Sequence, residues 1–305
     1  MSARHSAPEP NAHPADADLE RTTDAAEAGP PPVESEPAVP QPVPDLGTAE
    51  AGTGEDFWRD LRGSTQARIG LGRTGDALPT AEVLTLRAAH AAARDAVHLP
   101  LDVAALIEQI TAAGLGAPVA VTSRAADRAE YLRRPDLGRL PDDLTTIANS
   151  GADIGIVLAD GLSPRALSEH APGLLAAVAA ELGDDYTLAP PVIATQARVA
   201  LGDHIAEAMG VRTVLVLIGE RPGLSVADSL GIYLTHLPRP GRADAERNCV
   251  SNIHPPDGLA YADAARVVAG LVAGARALGR SGVDLKDTSR TESLGTTETL
   301  TAPPP

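Results

Sequence analysis

Two stretches of this chain concentrate residue types that can do chemistry. The first is Val211-Arg-Thr-Val-Leu-Val-Leu-Ile-Gly-Glu-Arg-Pro-Gly-Leu224, a β-branched apolar run that empties into a loop holding an acid, a base, a proline and two glycines. A run this apolar cannot be solvated on both faces, so it reads as a strand inside a sheet. Its polar loop then falls at the strand's carboxyl edge, where open α/β sheets place their ligands. Gly219 and Gly223 let backbone approach a ligand, and Pro222 fixes the turn. Two readings of the charges stand side by side. Glu220 can accept hydrogen bonds from ligand amides or hydroxyls, or Glu220 and Arg221 can form a surface ion pair that closes the turn. Asp228-Ser229 either continue the polar rim or cap the next element.

The second stretch is Arg247-Asn-Cys-Val-Ser-Asn-Ile-His254. A catalytic Cys249 would need a base within reach, and His254 is the nearest candidate. The commoner role of a lone cysteine is that of a small buried hydrophobe. One cysteine and scattered histidines do not make a structural zinc set. Elsewhere, Gly70-Leu-Gly-Arg-Thr-Gly75 fits the dinucleotide pattern G-x-G-x-x-G, with Asp95 twenty residues on. The preceding Ser64 to Arg68 is polar, so no buried strand supports a phosphate loop there, and a glycine-rich turn between helices is the better reading. His90 and His98 lie two helical turns apart, too far for one ion, whose helical ligands want i, i+4 spacing.

The elements that must position these residues alternate. Helices are expected over 81–97, 101–113, 125–133, 164–182, 201–209 and 261–278, from apolar residues at helical spacing. Strands are expected over 118–122, 153–159, 211–218 and 231–236. Ser163 reads as an N-cap with Pro164 at the first helical position. Alternating β and α over this length predicts a parallel sheet covered by helices. The expected organisation is a helical N-terminal subdomain (53–116) and a Rossmann-like, doubly wound domain (117–287). Residues 1–52 hold ten prolines and ten acids against two arginines, half of the formal net charge of −16. They and residues 288–305 are expected to be disordered tails. The acidic balance argues against nucleic acid as a partner. No apolar run has the roughly 18 residues of a membrane helix, and the N-terminus does not read as a signal peptide. The single cysteine excludes an internal disulfide and fits a reducing cytoplasm. The arginine-rich segment from Arg59 to Arg94 is a candidate partner surface, and reversing charge at Arg68 and Arg73 is expected to weaken assembly.

Several motifs together resemble one family. They are Thr65-Gln-Ala-Arg-Ile-Gly-Leu-Gly-Arg73, His90-Ala-Ala-Ala-Arg-Asp-Ala-Val-His98, Ser123 to Leu132, Asp160-Gly-Leu-Ser163, Arg198-Val-Ala-Leu-Gly-Asp203, Ile218 to Leu224 and Arg247 to His254. In order over about residues 55 to 287, they are similar to the small (light) subunit of ethanolamine ammonia-lyase. The resemblance implies an adenosylcobalamin-dependent enzyme that converts ethanolamine to acetaldehyde and ammonia through a deoxyadenosyl radical. It implies a large-subunit partner that forms a β/α barrel and binds ethanolamine, with this chain covering the cobalamin and active only in the complex. Carried over by motif, the cobalamin contacts are Val199, Glu220 and Cys249, with no catalytic residue and no metal ligand assigned to this chain. Ser168-Glu-His-Ala-Pro-Gly173 comes nearest to D-x-H-x-x-G, the motif of cobalamin proteins that supply a histidine to cobalt. It lacks the aspartate that would orient the histidine, so base-on binding without a protein ligand is expected. To the cytoplasmic setting that the single cysteine fits, the family resemblance adds packaging in a bacterial microcompartment as an alternative. A stand-alone nucleotide-binding oxidoreductase using Gly70 to Gly75 is the competing function.

Overall fold

The computed structural model describes residues 53–114 and 116–287. The two expected tails, 1–52 and 288–305, lie outside the described residues. Strand β2 (Ile154–Ala159) shows how sequence dictates the architecture, because all six of its residues are buried. Ile154, Ile156 and Leu158 enter one apolar core, whereas Val157 and Ala159 enter another. Strand β4 (Thr213–Gly219) divides the same way, with Leu215 and Leu217 against Val214, Val216 and Ile218. Side chains alternate along a strand, so two apolar sets mean a sheet covered on both faces.

The long helices α5 (Pro164–Leu182) and α7 (Tyr261–Leu278) fill the first face, joined by Leu106 and Ile110 of α3 (Val103–Ala112). Helix α6 (Leu201–Met209) fills the second through Leu201, Ile205, Ala206 and Met209. It lies so close to the sheet that a Cβ on Gly202 would come 2.4 Å from Val216 Cγ2. The remaining helices are α1 (Thr53–Gly63), α2 (Thr80–His98), which packs on α5, and the short α4 (Arg128–Arg133). Ser163 caps α5 by accepting from the Ala166 amide, with Pro164 following as expected.

The sheet has six strands in the order β1-β3-β2-β4-β5-β6, where β1 is Val119–Thr122, β3 Val192–Thr195, β5 Leu230–His236 and β6 Asn248–Ile253. It is mostly parallel, which corrects the expectation of an all-parallel sheet. β1, β3, β2 and β4 run together, whereas β5 pairs antiparallel with β4, and β6 antiparallel with β5. The reason is connection length. The segment from Glu220 to Ser229 is too short for a helical crossover, which needs about a dozen residues or more, so the chain must turn back. The chain leaves β2 through α5 on one face and its neighbour β3 through α6 on the other, so the winding reverses between these two strands. Such a reversal opens a crevice at the carboxyl ends of the strands.

The antiparallel edge is tied to the second helical layer by a buried ion pair. Arg247 donates to both oxygens of Asp203, at 2.8 and 2.7 Å, and also to the Thr235 hydroxyl and the Arg242 carbonyl. The two side chains are 1% and 0% exposed. Removing one member of such a pair strands the other charge in the interior, at a cost of about 3–5 kcal/mol. We predict that Arg247→Met lowers stability by about that amount in urea unfolding of the full chain. A loss below about 1 kcal/mol would show that the pair does not clamp the sheet edge.

Candidate functional site

At the carboxyl end of β2 the chain enters the interior as an acid. Asp160 is 2% exposed, and its carboxylate accepts the backbone amides of Gln196 at 2.8 Å and Ala197 at 2.9 Å. Arg128 of α4 lies 3.4 Å away. Burial pushes the Asp160 carboxyl up, against the downward pull of the Ala197 amide and Arg128. One side chain therefore gathers the ends of β2, the loop after β3 and the start of α4. The loop bends sharply, with Gln196 in the left-handed region at φ 52°.

Tyr131 braces the same loop. Its hydroxyl donates to the Ala197 carbonyl at 3.0 Å, and its ring lies under the Arg198 guanidinium at 4.3 Å and near that of Arg128 at 4.8 Å. Burial is the main reason its phenol is held well above the ordinary range. On the other side of Asp160, the backbones of Gly161 and Gly219 nearly touch. A Cβ on Gly161 would sit 2.2 Å from the Gly219 carbonyl oxygen, and one on Gly219 would sit 2.1 Å from that of Ser163. Only glycine fits at either position.

Between these supports lies an open cleft of about 450 Å³. Leu162, Val199 and Ile218 form apolar wall, and Arg198, Glu220, Arg221, Tyr131 and Tyr233 give polar groups. Glu220 is fixed by its own neighbours. Its Oε2 accepts from the Ser229 hydroxyl at 2.6 Å and from the Asn252 amide at 3.2 Å. The Asn252 contact depends on an irregularity. The β5–β6 register shifts between Leu230 and Ile232, and Asn252 adopts φ 63°, which turns its amide towards Glu220. Gly231 leaves room for the carboxylate, since a Cβ there would lie 2.8 Å from Glu220 Oε1.

Cys249 is the cross-strand partner of Tyr233. It is solvent-accessible and lies beside the Tyr233 phenol. Packing around the sulfur is the main cause that pushes the thiol up, with Glu220 adding to it and Tyr233 opposing it. The Tyr233 phenol is itself pushed up to about 12, first by burial and then by Cys249. Sequence reasoning therefore named two lining residues of the cleft, Val199 and Glu220, and one neighbour at its edge, Cys249.

The sequence pattern of the ethanolamine ammonia-lyase light chain matches residues 55–286. A Rhodococcus erythropolis protein named ethanolamine ammonia-lyase small subunit is 67% identical over 246 residues, spanning 81% of this chain and 96% of the relative. Proteins of the same name from Rhodopseudomonas palustris and Xanthomonas campestris pv. campestris are 48% and 46% identical, over 80% and 82% of this chain and 95% and 94% of theirs. This chain belongs to the ethanolamine ammonia-lyase light-chain family. The catalytic-dyad and nucleotide-loop readings fare poorly beside that membership. His254 hydrogen-bonds Asn252 and lines a different cavity from the cleft beside Cys249. The Gly70 to Gly75 segment follows no strand, and α2 begins only at Thr80. Gly70 is needed because the Trp58 ring packs where a Cβ would stand, 2.3 Å from Cδ2.

Tyr131, Asp160 and Tyr233 are the site residues that sequence reasoning passed over. Asp160 and Tyr131 enter the sequence reading only as members of family-like motifs. Neither the carboxylate's burial nor the stacking of two arginines on one ring leaves a periodic signal. The raised thiol gives a direct test. A pH profile of Cys249 alkylation by iodoacetamide should have its midpoint above that of a free cysteine peptide. A midpoint at or below the free value would restore the reactive-thiol reading.

Proposed function

We propose that this light chain binds adenosylcobalamin and covers it over a large subunit, and that the enzyme turns over ethanolamine only when both chains are present. The observation that carries this reading is the convergence of Val199 and Glu220 on one cleft at the carboxyl end of a mostly parallel sheet, with Cys249 paired across the strands with Tyr233 of its lining. The cleft suits the ligand in kind and in extent. Apolar wall from Leu162, Val199 and Ile218 matches the faces of a corrin, and the polar groups match its amide side chains. A space of about 450 Å³ can enclose only part of a molecule that large, which leaves the remainder to a partner.

When bound, adenosylcobalamin supplies the radical chemistry that converts ethanolamine to acetaldehyde and ammonia. The residues of this chain position and exclude. Glu220 is immobilised through Oε2 by Ser229 and Asn252, and Oε1 can accept an amide N–H. Val199 and Leu162 exclude water from the covered face. Cys249, kept as a thiol, adds a small apolar contact with a weak donor. The Ser168 to Gly173 segment supports base-on binding. It lies within α5, away from the cleft, where His170 Nδ1 is hydrogen-bonded to Tyr261 at 2.7 Å.

Exposed apolar groups on the N-terminal helices support the partner surface. Phe57, Trp58 and Leu84 are 58%, 40% and 58% exposed. Arg68 is engaged inside the chain, donating to the Leu224 carbonyl at 2.9 Å, so exposed Arg73 is the cleaner probe of the interface. No helix among the described residues is long and apolar enough to cross a membrane. Packaging in a microcompartment is a further expectation, and it concerns tail residues outside the described ones.

Three outcomes test this reading. Mixing the chain with a matching large subunit should give cobalamin retention and ethanolamine turnover that neither chain shows alone. In that complex Glu220→Gln should raise the adenosylcobalamin Kd at least about tenfold, the size of one charge-assisted hydrogen bond. Turnover by the large subunit alone, or an unchanged Kd, would contradict the assignment. Arg73→Glu should weaken co-purification with the large subunit, and full recovery of the complex would remove Arg73 from the interface.

A further inference from the structure

A second cavity, of about 400 Å³, lies beside α5 and is separate from the cleft in its lining residues. Glu169, His170 and Asp228 meet there, each offering one ligand atom within 4.8 Å of the others. Acidic groups alone would say little, but the histidine is unusual. His170 is only 9% exposed, and its Nε2 is buried without a hydrogen-bond partner. Its Nδ1 is held 2.7 Å from the Tyr261 hydroxyl. In the tautomer that donates from Nδ1, Nε2 presents a bare lone pair to its surroundings. This is the arrangement of a metal-binding histidine, whose second nitrogen is anchored by an oxygen that fixes ring and tautomer.

We propose that Glu169, His170 and Asp228 form a divalent-cation site for Zn2+ or a similar first-row ion. One imidazole and two carboxylates are a donor set suited to such an ion. Bond lengths of about 2.0–2.2 Å would draw the three ligand atoms closer together than the 4.8 Å within which they stand. Glu169 is exposed, so its side chain has room to make that adjustment. Arg165 already pairs with both carboxylates, at 2.7 Å to Glu169 and 3.6 Å to Asp228. Each carboxylate has two oxygens, so the guanidinium can keep one while the ion takes the other. His254, which lines the same cavity, bonds Asn252 through Nε2 and is not part of the set. The ion would tie α5 to the segment between β4 and β5. That segment carries Ser229, which holds Glu220. The site stands on residues of this chain alone and is independent of the cobalamin assignment.

The test is calorimetric titration of ZnCl2 into the untagged, chelator-treated full chain. One ion per chain should bind, and thermal unfolding should move to higher temperature with Zn2+. His170→Gln and Asp228→Asn should each weaken binding at least about tenfold, whereas the double variant His90→Ala/His98→Ala should keep it. Asp228 lies in the connecting segment and not in a core, so Asp228→Asn decides the matter if His170→Gln fails to fold. No stoichiometric binding by the wild-type chain, or binding that Asp228→Asn leaves intact, would overturn the proposal.

Discussion

The cleft depends on one buried carboxylate. Asp160 follows a fully buried strand of the sheet, and instead of reaching solvent it turns inward to collect two backbone amides and an arginine. A carboxylate in that position is costly unless its lone pairs are satisfied. The loop after β3 must therefore bend back to supply the Gln196 and Ala197 amides. That bend places Arg198 and Val199 at the cleft, and Tyr131 locks it through the Ala197 carbonyl. Local strain at Gln196 is tolerated because the surrounding contacts over-determine the loop.

The opposite wall is set by contact distance. Gly161 and Gly219 bring the ends of β2 and β4 together more closely than any side chain would allow, and the Leu162 amide donates to the Gly219 carbonyl at 2.9 Å. Glu220 emerges next from this pinch and is held by groups from β6 and from the segment before β5. The antiparallel edge thus contributes to the site as well as closing the sheet. Its Arg247–Asp203 clamp connects that edge to α6, whose N-terminal end follows Val199 directly. Both walls of the cleft are in this way joined through the interior.

Much of this was legible in the sequence, for physical reasons. Strands β2 and β4 are buried on both faces and so read as continuous apolar runs. Helix α5 announces itself with Ser163 and Pro164, and α7 with its long apolar stripes. Other helices start later than expected because an aspartate caps them. Asp102 accepts from the Ala105 amide ahead of α3, and Asp127 from the Glu130 amide ahead of α4. β3 was missed because its four residues follow Pro190-Pro191. β6 was missed because only Val250 and Ile253 are buried in an otherwise polar edge strand. The reversal at β5 could have been read from the short segment that precedes it. Glu220 was visible as a loop acid at a strand end. Val199 came only from the family resemblance, since nothing in its local pattern distinguishes it. The contacts that hold it there, Asp160 to Ala197 and Tyr131 to Ala197, join residues far apart in the chain and leave no mark on any short window.

The most direct measurement is amide hydrogen exchange on the assembled two-chain complex, with and without adenosylcobalamin. The account predicts that the cofactor adds protection in this chain at residues 160–163, 196–200 and 218–221 and around Cys249. The segment from Gln66 to Gly75 should show no added protection attributable to direct contact. Protection centred on Gly70 to Gly75, or none at the ends of β2 and β4, would contradict it.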